Sequence, residues 1–399
     1  MVVAIDDIST VAVIGAGQMG RGIGAVAALA GYDVALQDVD EAQLAAALEE
    51  IEWSYGKQVE RGATTEADTA TALERIETTT DLDAAVADAE FVTEAGPERL
   101  EVKTDIFERV DAAAPPEAIL ATNTSGLSVT ALAEATDRPD QVLGTHWFNP
   151  PMLMELVEVI MTEYTPEPVA ETAEALVEDF GKTSIRVRMD IAKFIVNRLM
   201  RAFSEGPAWM VSRGEYSIRE IDSAMKYKAG FPMGPFELAD YTGSIEIRVD
   251  AEESLLADDR PLPFESPISP IVHQLYEKGR YGRKAGAGYY EYDDDSSAPE
   301  IPVDAGQGFD TLLVWAPMVN EAAKLVQHDV ASVEDVDTGA RLGGNWPMGP
   351  LEKADEVGAD RVLQALTDVA SRHDNTAVLA ETLPCDLLVR KAKAGETFY

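Results

Sequence analysis

The stretch Thr10-Val-Ala-Val-Ile14-Gly-Ala-Gly-Gln-Met-Gly20 decides the fold of this chain. A short β-branched run ends in a Gly-x-Gly-x-x-Gly pattern, and small apolar residues follow it at helical spacing. A second apolar run, residues 33–37, ends at Asp38. Strand, tight turn, helix and strand in this order predict a parallel sheet whose opening turn binds a dinucleotide.

The turn offers a pyrophosphate both space and partial positive charge. The first glycine permits the turn, the second lets the pyrophosphate approach, and the third lets the helix pack on the strand. Asp38 would accept hydrogen bonds from a ribose, and Val39 and Asp40 supply no cation for a 2′-phosphate, so NAD is favoured over NADP. An ordinary strand–helix turn is the alternative. The predicted NAD contacts of the turn are Gly15, Gly17, Gln18, Met19 and Gly20.

The composition excludes several classes of protein. Of 399 residues, 72 are Asp or Glu and 32 are Lys or Arg, and the net charge of −40 would repel nucleic acids and anionic membranes. No stretch is apolar enough to span a membrane. Cys385 is the one cysteine, and no ligand spacing predicts a metal site. We expect a cytoplasmic protein, and its acidity indicates a halophile, or alternatively an acidic mesophile protein.

Short apolar runs alternate with helical segments through the first half of the chain. This alternation predicts an α/β Rossmann-like domain over residues 1–188, with a mostly parallel sheet. The predicted strands beyond the second are 91–93, 119–122, 142–144, 156–160 and 184–187, and a long helix covers about 40–61.

Strand signals fade after residue 188, where helices at 193–212 and 217–228 follow. Residues 222–243 align without gaps on residues 337–358, and both copies contain Pro-Met-Gly-Pro. A match of this length indicates a duplicated module. The expected fold class is therefore a Rossmann-like NAD-binding domain followed by two tandem all-α helical modules. Their bounds are 189–292 and 309–399, with a linker at 293–308.

His146 and Glu158 are candidates for acid–base chemistry. His146 follows the predicted strand 142–144, and an imidazole titrates near neutral pH. Glu158 lies within the apolar run 156–160, where a carboxylate is costly without a partner such as a histidine. Spacing alone leaves ordinary roles open for both residues. The same holds for Asn123-Thr-Ser125, which could be a turn, and for Asn197, which could pack a helix.

Several motifs together resemble the (3S)-3-hydroxyacyl-CoA dehydrogenase family. Besides the glycine-rich turn, they are Asn-Thr-Ser at 123–125, His-Trp-Phe-Asn-Pro at 146–150, Leu-Val-Glu-Val-Ile at 156–160, Phe-Ile-Val-Asn-Arg at 194–198, Pro-Met-Gly-Pro-Phe-Glu-Leu at 232–238 and Gly-Arg-Lys-Ala-Gly-Ala-Gly-Tyr-Tyr at 282–290. The resemblance implies reversible oxidation of a 3-hydroxyacyl-CoA by NAD. Two departures are Gly126, where many relatives have a second serine, and Lys193, where glycine is common.

The resemblance also implies roles for single residues. His146 would be the general base, Glu158 its orienting partner, and Ser125 and Asn197 would bind the substrate oxygen. Further NAD contacts would come from Asp38, Glu98, Lys103, Asn123, Asn149 and Lys284. CoA would contact Ser54, Arg61 and Ser125, although Arg61 read from the sequence alone could be a surface cation.

The second helical module raises the question of assembly. Leu313 aligns with Asn197, so this copy should be catalytically silent. It could cover the first copy as an internal pseudo-dimer and leave a monomer, and a homodimer is the alternative. An enoyl-CoA hydratase would then be a separate partner. The other functional hypotheses are a dehydrogenase of a free hydroxy acid or sugar acid, and a non-catalytic NAD-binding scaffold.

Overall fold

The computed structural model describes residues 3–293 and 298–399. The chain forms two compact units, of which the first ends at Phe194 and the second runs from Ile195 to Tyr399. The predicted boundary at 188/189 lies just ahead of this division. Of the predicted linker 293–308, residues 294–297 lie outside the described residues, and 298–308 form turns and irregular backbone.

The first unit is built on one eight-stranded sheet, as the alternation of apolar runs predicts. The strand order is β3-β2-β1-β4-β5-β6-β7-β8, and all neighbours are parallel except the antiparallel pair β6–β7. The order reverses direction between β1 and β4, which is where dinucleotides bind in such sheets. The strands are β1 (Thr10–Ile14), β2 (Asp33–Gln37), β3 (Ile76–Thr79), β4 (Phe91–Glu94), β5 (Ile119–Thr122), β6 (Val142–Trp147), β7 (Leu156–Ile160) and β8 (Thr183–Val187).

Helices supply the layers around this sheet. The central strands β4 to β7 are buried along their whole length, since their apolar residues face helices on both sides. The helices of the first unit are α1 (Gln18–Ala30), α2 (Glu41–Glu60), α3 (Glu66–Glu74), α4 (Leu82–Val86), α5 (Leu100–Ala113), α6 (Val129–Ala133) and α7 (Glu167–Asp179).

Two strands differ from the sequence prediction by more than one residue. Strand β6 extends to Trp147 instead of ending at Gly144, so His146 lies within the strand and not after it. The pairing of β6 with β7 explains the extension, because each added residue gains an antiparallel partner. Strand β3 was not predicted. It is an edge strand, and Ile76-Glu-Thr-Thr79 buries only its first residue, so no apolar run marks it.

The described residues of the second unit form helices joined by loops, with isolated bridges near Gly282 and no strand. Its first helix begins at Val196 and not at 193, because Lys193 and Phe194 have positive φ angles that a helix does not accept. The predicted helix 217–228 is a short α-helix followed by a π-helical turn, Ala224–Lys228. The helices are α8 (Val196–Ser212), α9 (Ile218–Ser223), α10 (Pro235–Thr242), α11 (Ser244–Leu256), α12 (Pro270–Glu277), α13 (Leu312–Gln327), α14 (Val333–Thr338), α15 (Pro350–Val357), α16 (Ala359–Ala370), α17 (Thr376–Thr382) and α18 (Asp386–Ala394).

One buried carboxylate recurs at equivalent positions of the two aligned segments. Asp222 accepts hydrogen bonds from two backbone N–H groups in the first turn of α10 and from the Tyr290 hydroxyl. Asp337 accepts from two N–H groups in the first turn of α15 and from the Tyr399 hydroxyl. Both aspartates are fully buried, so each serves to satisfy the N–H groups that a helix leaves unpaired.

A second carboxylate follows the same pattern. Asp240 accepts hydrogen bonds from the backbone N–H groups of Tyr289 and Tyr290. Asp355 accepts from the backbone N–H groups of Phe398 and Tyr399. A π-helical turn also occurs in both segments, at 224–228 and 339–343. The two segments therefore share side-chain anchors and an unusual helical turn as well as sequence.

No helix within residues 3–293 and 298–399 combines the length and the hydropathy that crossing a bilayer requires.

Candidate active site

The glycine-rich turn joins β1 to α1 at the carboxyl edge of the sheet. Gly15 has φ +101°, which favours glycine, and a Cβ there would lie 2.8 Å from the Ala95 carbonyl oxygen. A Cβ on Gly20 would lie 1.8 Å from the Gly15 carbonyl oxygen, so helix and strand touch at this point. A Cβ on Gly17 would meet no atom within 4 Å. The turn thus leaves open space at the N-terminus of α1, where a pyrophosphate fits.

Asp38 stands at the end of β2, beside this turn. Its Oδ2 accepts a hydrogen bond from the Ala16 N–H at 2.8 Å, and its Oδ1 accepts from the Asp40 N–H at 3.2 Å. These bonds orient the carboxylate and leave it further lone pairs, with which it can accept ribose hydroxyls. Val39 is 87% exposed and carries no charge, so nothing at this position would hold a 2′-phosphate.

His146 and Glu158 lie directly opposite each other on β6 and β7. His146 Nδ1 is 2.5 Å from Glu158 Oε2. Both residues are buried, since His146 is 6% exposed and Glu158 is 0% exposed. An ionised carboxylate only accepts hydrogen bonds, so the pairing assigns the proton to Nδ1 and leaves Nε2 as the proton acceptor. The rings of Phe148 and Phe194 pack on the imidazole at centroid distances of 4.7 and 5.7 Å.

The loop after β5 approaches the same edge. Asn123 Oδ1 accepts a hydrogen bond from the Trp147 N–H at 2.9 Å, which ties this loop to β6 next to His146. Ser125 donates from its N–H and its hydroxyl to Glu98 Oε1, at 2.8 and 3.2 Å. The Thr124 hydroxyl also donates to Glu98 Oε1, at 2.6 Å. Ser125 and Glu98, predicted for substrate and cofactor respectively, are therefore in direct contact.

A buried ion pair between Lys103 and Glu94 supports this loop, and Glu94 is not among the residues that the sequence predicts for the site. The Lys103 ammonium lies 2.8 Å from both carboxylate oxygens of Glu94 and 3.6 Å from Glu98 Oε2, and Lys103 is 1% exposed. Glu94 Oε2 also accepts from the Thr122 hydroxyl. Glu94 is the last residue of an apolar strand, much as Asp38 directly follows one, and this position is the sequence signal that could have identified it.

The charge of Lys103 acts on Glu98. Burial opposes ionisation of the Glu98 carboxyl, but the hydrogen bonds from Thr124 and Ser125 and the nearby Lys103 outweigh burial and lower its pKa. Glu98 is therefore an anion that fixes the position of Ser125. Lys103 reaches this anion from inside the protein, where most of its hydrogen-bonding capacity is taken by Glu94.

Two family models match the chain and together span nearly all of it. The model described as 3-hydroxyacyl-CoA dehydrogenase, NAD binding domain, matches residues 10–191. The model described as 3-hydroxyacyl-CoA dehydrogenase, C-terminal domain, matches residues 194–292 and 308–398. The chain belongs to the 3-hydroxyacyl-CoA dehydrogenase family. The match to an NAD-binding domain confirms NAD as the cofactor predicted from the glycine-rich turn.

Relatives within this dehydrogenase family differ in length. The 3-hydroxybutyryl-CoA dehydrogenase of Bradyrhizobium diazoefficiens is 40% identical over 71% of this chain and 96% of its own. The 3-hydroxyadipyl-CoA dehydrogenase of Escherichia coli K12 is 30% identical over 97% of this chain and 98% of its own. A crystal structure titled 3-hydroxybutyryl-CoA dehydrogenase, from E. coli K12, covers 97% of this chain and 99% of its own, with 29% identity and a TM-score of 0.85. Relatives of both short and full length thus exist.

The remaining residues predicted for the dehydrogenase site lie on other elements. Asn149 is exposed just after β6, and its peptide bond to Pro150 is cis. Ser54 and Arg61 are seven residues apart on α2 and directly after it, which places them on one face of the helix. Asn197 on α8 and Lys284 in the 3-10 turn Arg283–Ala285 belong to the second unit. The roles of all five residues stay predictions.

The open space at Gly17 yields a test of the dehydrogenase's cofactor site. Gly17→Ala should fold like the wild type but bind NADH about tenfold more weakly or worse, since intruding on a packed contact costs about 1–3 kcal/mol. NADH fluorescence titration and the Tm measure the two effects.

Two other glycine variants serve as controls for this experiment. Gly56→Ala on α2 also places its methyl group in open space; it should leave the NADH affinity unchanged and raise the Tm slightly, because alanine favours a helix over glycine. Gly20→Ala should lower the Tm, because its methyl group overlaps the Gly15 carbonyl. Unchanged NADH affinity in Gly17→Ala would show that the pyrophosphate does not approach this residue.

Proposed function

We propose that the chain catalyses the reversible NAD-dependent oxidation of a (3S)-3-hydroxyacyl-CoA to the 3-ketoacyl-CoA. The observation that carries the proposal is the buried His146–Glu158 pair, held at the edge of the sheet that also carries the glycine-rich turn and Asp38. The names of the relatives agree with this reaction. An acid–base pair at the same edge of the sheet as an NAD site is the arrangement that oxidation of a hydroxyl group requires.

In the proposed reaction, His146 Nε2 removes the proton of the substrate's C3 hydroxyl. Glu158 keeps the other ring nitrogen protonated and stabilises the imidazolium that results. The Ser125 hydroxyl and the Asn197 amide position the C3 oxygen. Bound NAD supplies the acceptor for the hydride that leaves C3. In the reverse direction His146 returns its proton to the ketone oxygen, so one residue serves both directions.

The binding roles follow the placement of the residues. The loop of residues 123–128, between β5 and α6, is called the Ser125 loop. For NAD we propose the glycine-rich turn, Asp38 and residues around the Ser125 loop. These last residues are Glu98, Lys103, Asn123 and Asn149, and Lys284 of the second unit is also proposed. For CoA we propose Ser54 and Arg61, since both lie on the face of α2 and Arg61 is exposed for contact with a phosphate.

The test is the oxidation of NADH by acetoacetyl-CoA, followed by absorbance in molar KCl, which screens the charge of −40. NADPH and free acetoacetate are the controls. We expect rapid oxidation only with NADH and the CoA ester. Oxidation with free acetoacetate would favour a free hydroxy acid as substrate instead. Binding of NADH without turnover of either compound would favour a scaffold role.

We also propose that residues 309–399 are a second copy of the helical module. The recurrent carboxylates Asp222 and Asp337, with their tyrosine partners, support this proposal. Helices α8 and α13 begin the two copies and pack against each other within the second unit. The second copy would therefore replace a partner subunit and leave a monomer. Light scattering should give a mass near 43.1 kDa, and an obligate dimer would contradict the proposal.

A cytoplasmic location is part of the same proposal. The one cysteine, Cys385, is buried as a free thiol, which is typical of a reducing compartment. The substrate is the product of adding water to a 2-enoyl-CoA, and a separate hydratase would supply it.

A further inference from the structure

The segment just before α8 is held against the Ser125 loop. Asp190 Oδ2 accepts hydrogen bonds from the Ser128 hydroxyl at 3.0 Å and from the Thr130 N–H at 2.8 Å. Ser128 is the residue that caps the start of α6, so the segment is anchored to a helix end as well as to a loop. These bonds lie within the first unit and fix where the residues after Asp190 can reach.

The side chain of Lys193 lies over Gly126. A methyl group on Gly126 would be 3.1 Å from Lys193 Nζ, 3.2 Å from its Cδ and 3.3 Å from its Cε. Contacts this close mean that a side chain at position 126 would require the lysine to shift by a few tenths of an ångström. Glycine at position 126 therefore lets an ammonium group settle beside Ser125. The two departures from the family pattern, Gly126 and Lys193, are in contact with each other.

The backbone at this lysine is strained. Lys193 has φ +66° and Phe194 has φ +50°, and this left-handed conformation is costly for any residue but glycine. Glycine would remove the cost at 193, so the lysine stands at a position whose backbone favours glycine. Such strain is concentrated at functional sites. The ring of Phe194 packs on the His146 imidazole, so the strained pair touches both the Ser125 loop and the general base.

We propose that Lys193 is a further catalytic residue, whose ammonium group stabilises negative charge on the C3 oxygen of the acyl-CoA. The inference rests on the proposed function. As His146 takes the hydroxyl proton and the hydride leaves C3, the C3–O bond becomes a carbonyl and passes through alkoxide character. A fixed cation beside Ser125 lowers the energy of that state. Lys193 keeps its own protons throughout. The hydroxyl proton still goes to His146 and the hydride still goes to NAD, as in the proposed reaction.

The contact with Gly126 identifies the ligand as an oxygen of the acyl group. Ser125 is the residue proposed to hold the C3 oxygen, and Lys193 lies against its immediate neighbour. A phosphate of NAD is the competing ligand for a cation here. The NAD pyrophosphate is expected at Gly17, after β1, whereas Gly126 follows β5, which is separated from β1 by β4. The position of Lys193 beside the loop that follows β5 therefore favours the substrate oxygen.

The experiment compares Lys193→Met, Lys193→Arg and Lys193→Gly with the wild type. We measure kcat and KM for acetoacetyl-CoA, the Kd of NADH by fluorescence, and the Tm. Lys193→Met should lower kcat about 100-fold, as for the loss of one oxyanion-stabilising group, without changing the Kd of NADH. Lys193→Arg keeps the charge and should retain more activity. Lys193→Gly should lose as much kcat as Lys193→Met but have a higher Tm, since the strain is relieved.

Gly126→Ala is the second test, because its methyl group should shift the ammonium by a few tenths of an ångström without removing it. It should also lower kcat, and the double variant with Lys193→Met should be no worse than the poorer single variant. The proposal is overturned if Lys193→Met retains the wild-type kcat, or if its loss lies only in the Kd of NADH. Absence of wild-type turnover would overturn the proposed function and this inference together. Wild-type turnover with an unaffected Lys193→Met would overturn this inference alone.

Discussion

Replacement of His146 by glutamine should lower kcat with acetoacetyl-CoA by about 10⁴-fold, the upper range for loss of a general acid–base residue. Glutamine has no group that titrates near neutral pH, so the proton of the C3 hydroxyl has no acceptor. The Kd of NADH should not change, because the glycine-rich turn and Asp38 lie on other strands. Steady-state kinetics and NADH fluorescence measure the two quantities separately.

Glu158→Gln is the matched variant for the second member of the pair. Its side chain keeps its shape, loses the charge and replaces one accepting oxygen by an NH2 group, so Nδ1 loses the carboxylate that stabilises the imidazolium. We expect a smaller loss of kcat than in His146→Gln, with NADH binding intact. Wild-type turnover in His146→Gln would refute the assignment of the general base. Loss of NADH binding in either variant would show that the pair supports the cofactor site instead.

Replacement of Lys103 by methionine should destabilise the first unit by about 3–5 kcal/mol, since it leaves the Glu94 carboxylate buried without a counter-charge. Burial of the chain around this pair prevents water from replacing the ammonium. Denaturant unfolding followed by circular dichroism in molar KCl measures the change. We also expect weaker NADH binding, because Glu98 and the Ser125 loop lose the charge that faces them.

Lys57→Met provides the control for this experiment. Lys57 pairs with Glu60 at the same 2.8 Å, but both side chains are exposed, and such pairs contribute about 0–1 kcal/mol. The double variant Lys103→Met with Glu94→Leu should recover much of the lost stability, since no buried charge remains. Equal unfolding free energies for Lys103→Met and Lys57→Met would show that Glu94 is stabilised without its lysine.

The elements that the sequence predicts correctly are those whose structure is decided by local chemistry. The turn at Gly15 to Gly20 requires glycines for reasons of backbone space, and the pattern alone predicts both the turn and its ligand class. Buried parallel strands appear as short apolar runs, so β1, β2, β5 and β7 were placed within their observed bounds. Edge strand β3 and the end of β6 were missed because partners far along the chain determine them.

The family resemblance contributed what spacing could not. His146 and Glu158 were candidates from their residue types, but twelve positions of separation do not specify a contact. The contact exists because β7 runs antiparallel to β6 in a sheet that is otherwise parallel, and this register sets the two residues opposite each other. Pairing between strands is a property of the whole sheet, so no local sequence pattern predicts it.

By itself, the sequence determined the dinucleotide turn, the alternation of strands and helices, the aligned segments of the helical half, and the acidity of the chain. Each of these depends on residues close in sequence or on composition. Only the tertiary structure decided which residues the charged side chains meet: His146 meets Glu158, Lys103 meets Glu94, Glu98 meets Ser125, and Lys193 meets Gly126. The reason is that a charged side chain can be buried only where the folded chain gives it a partner, and that partner can come from any part of the sequence.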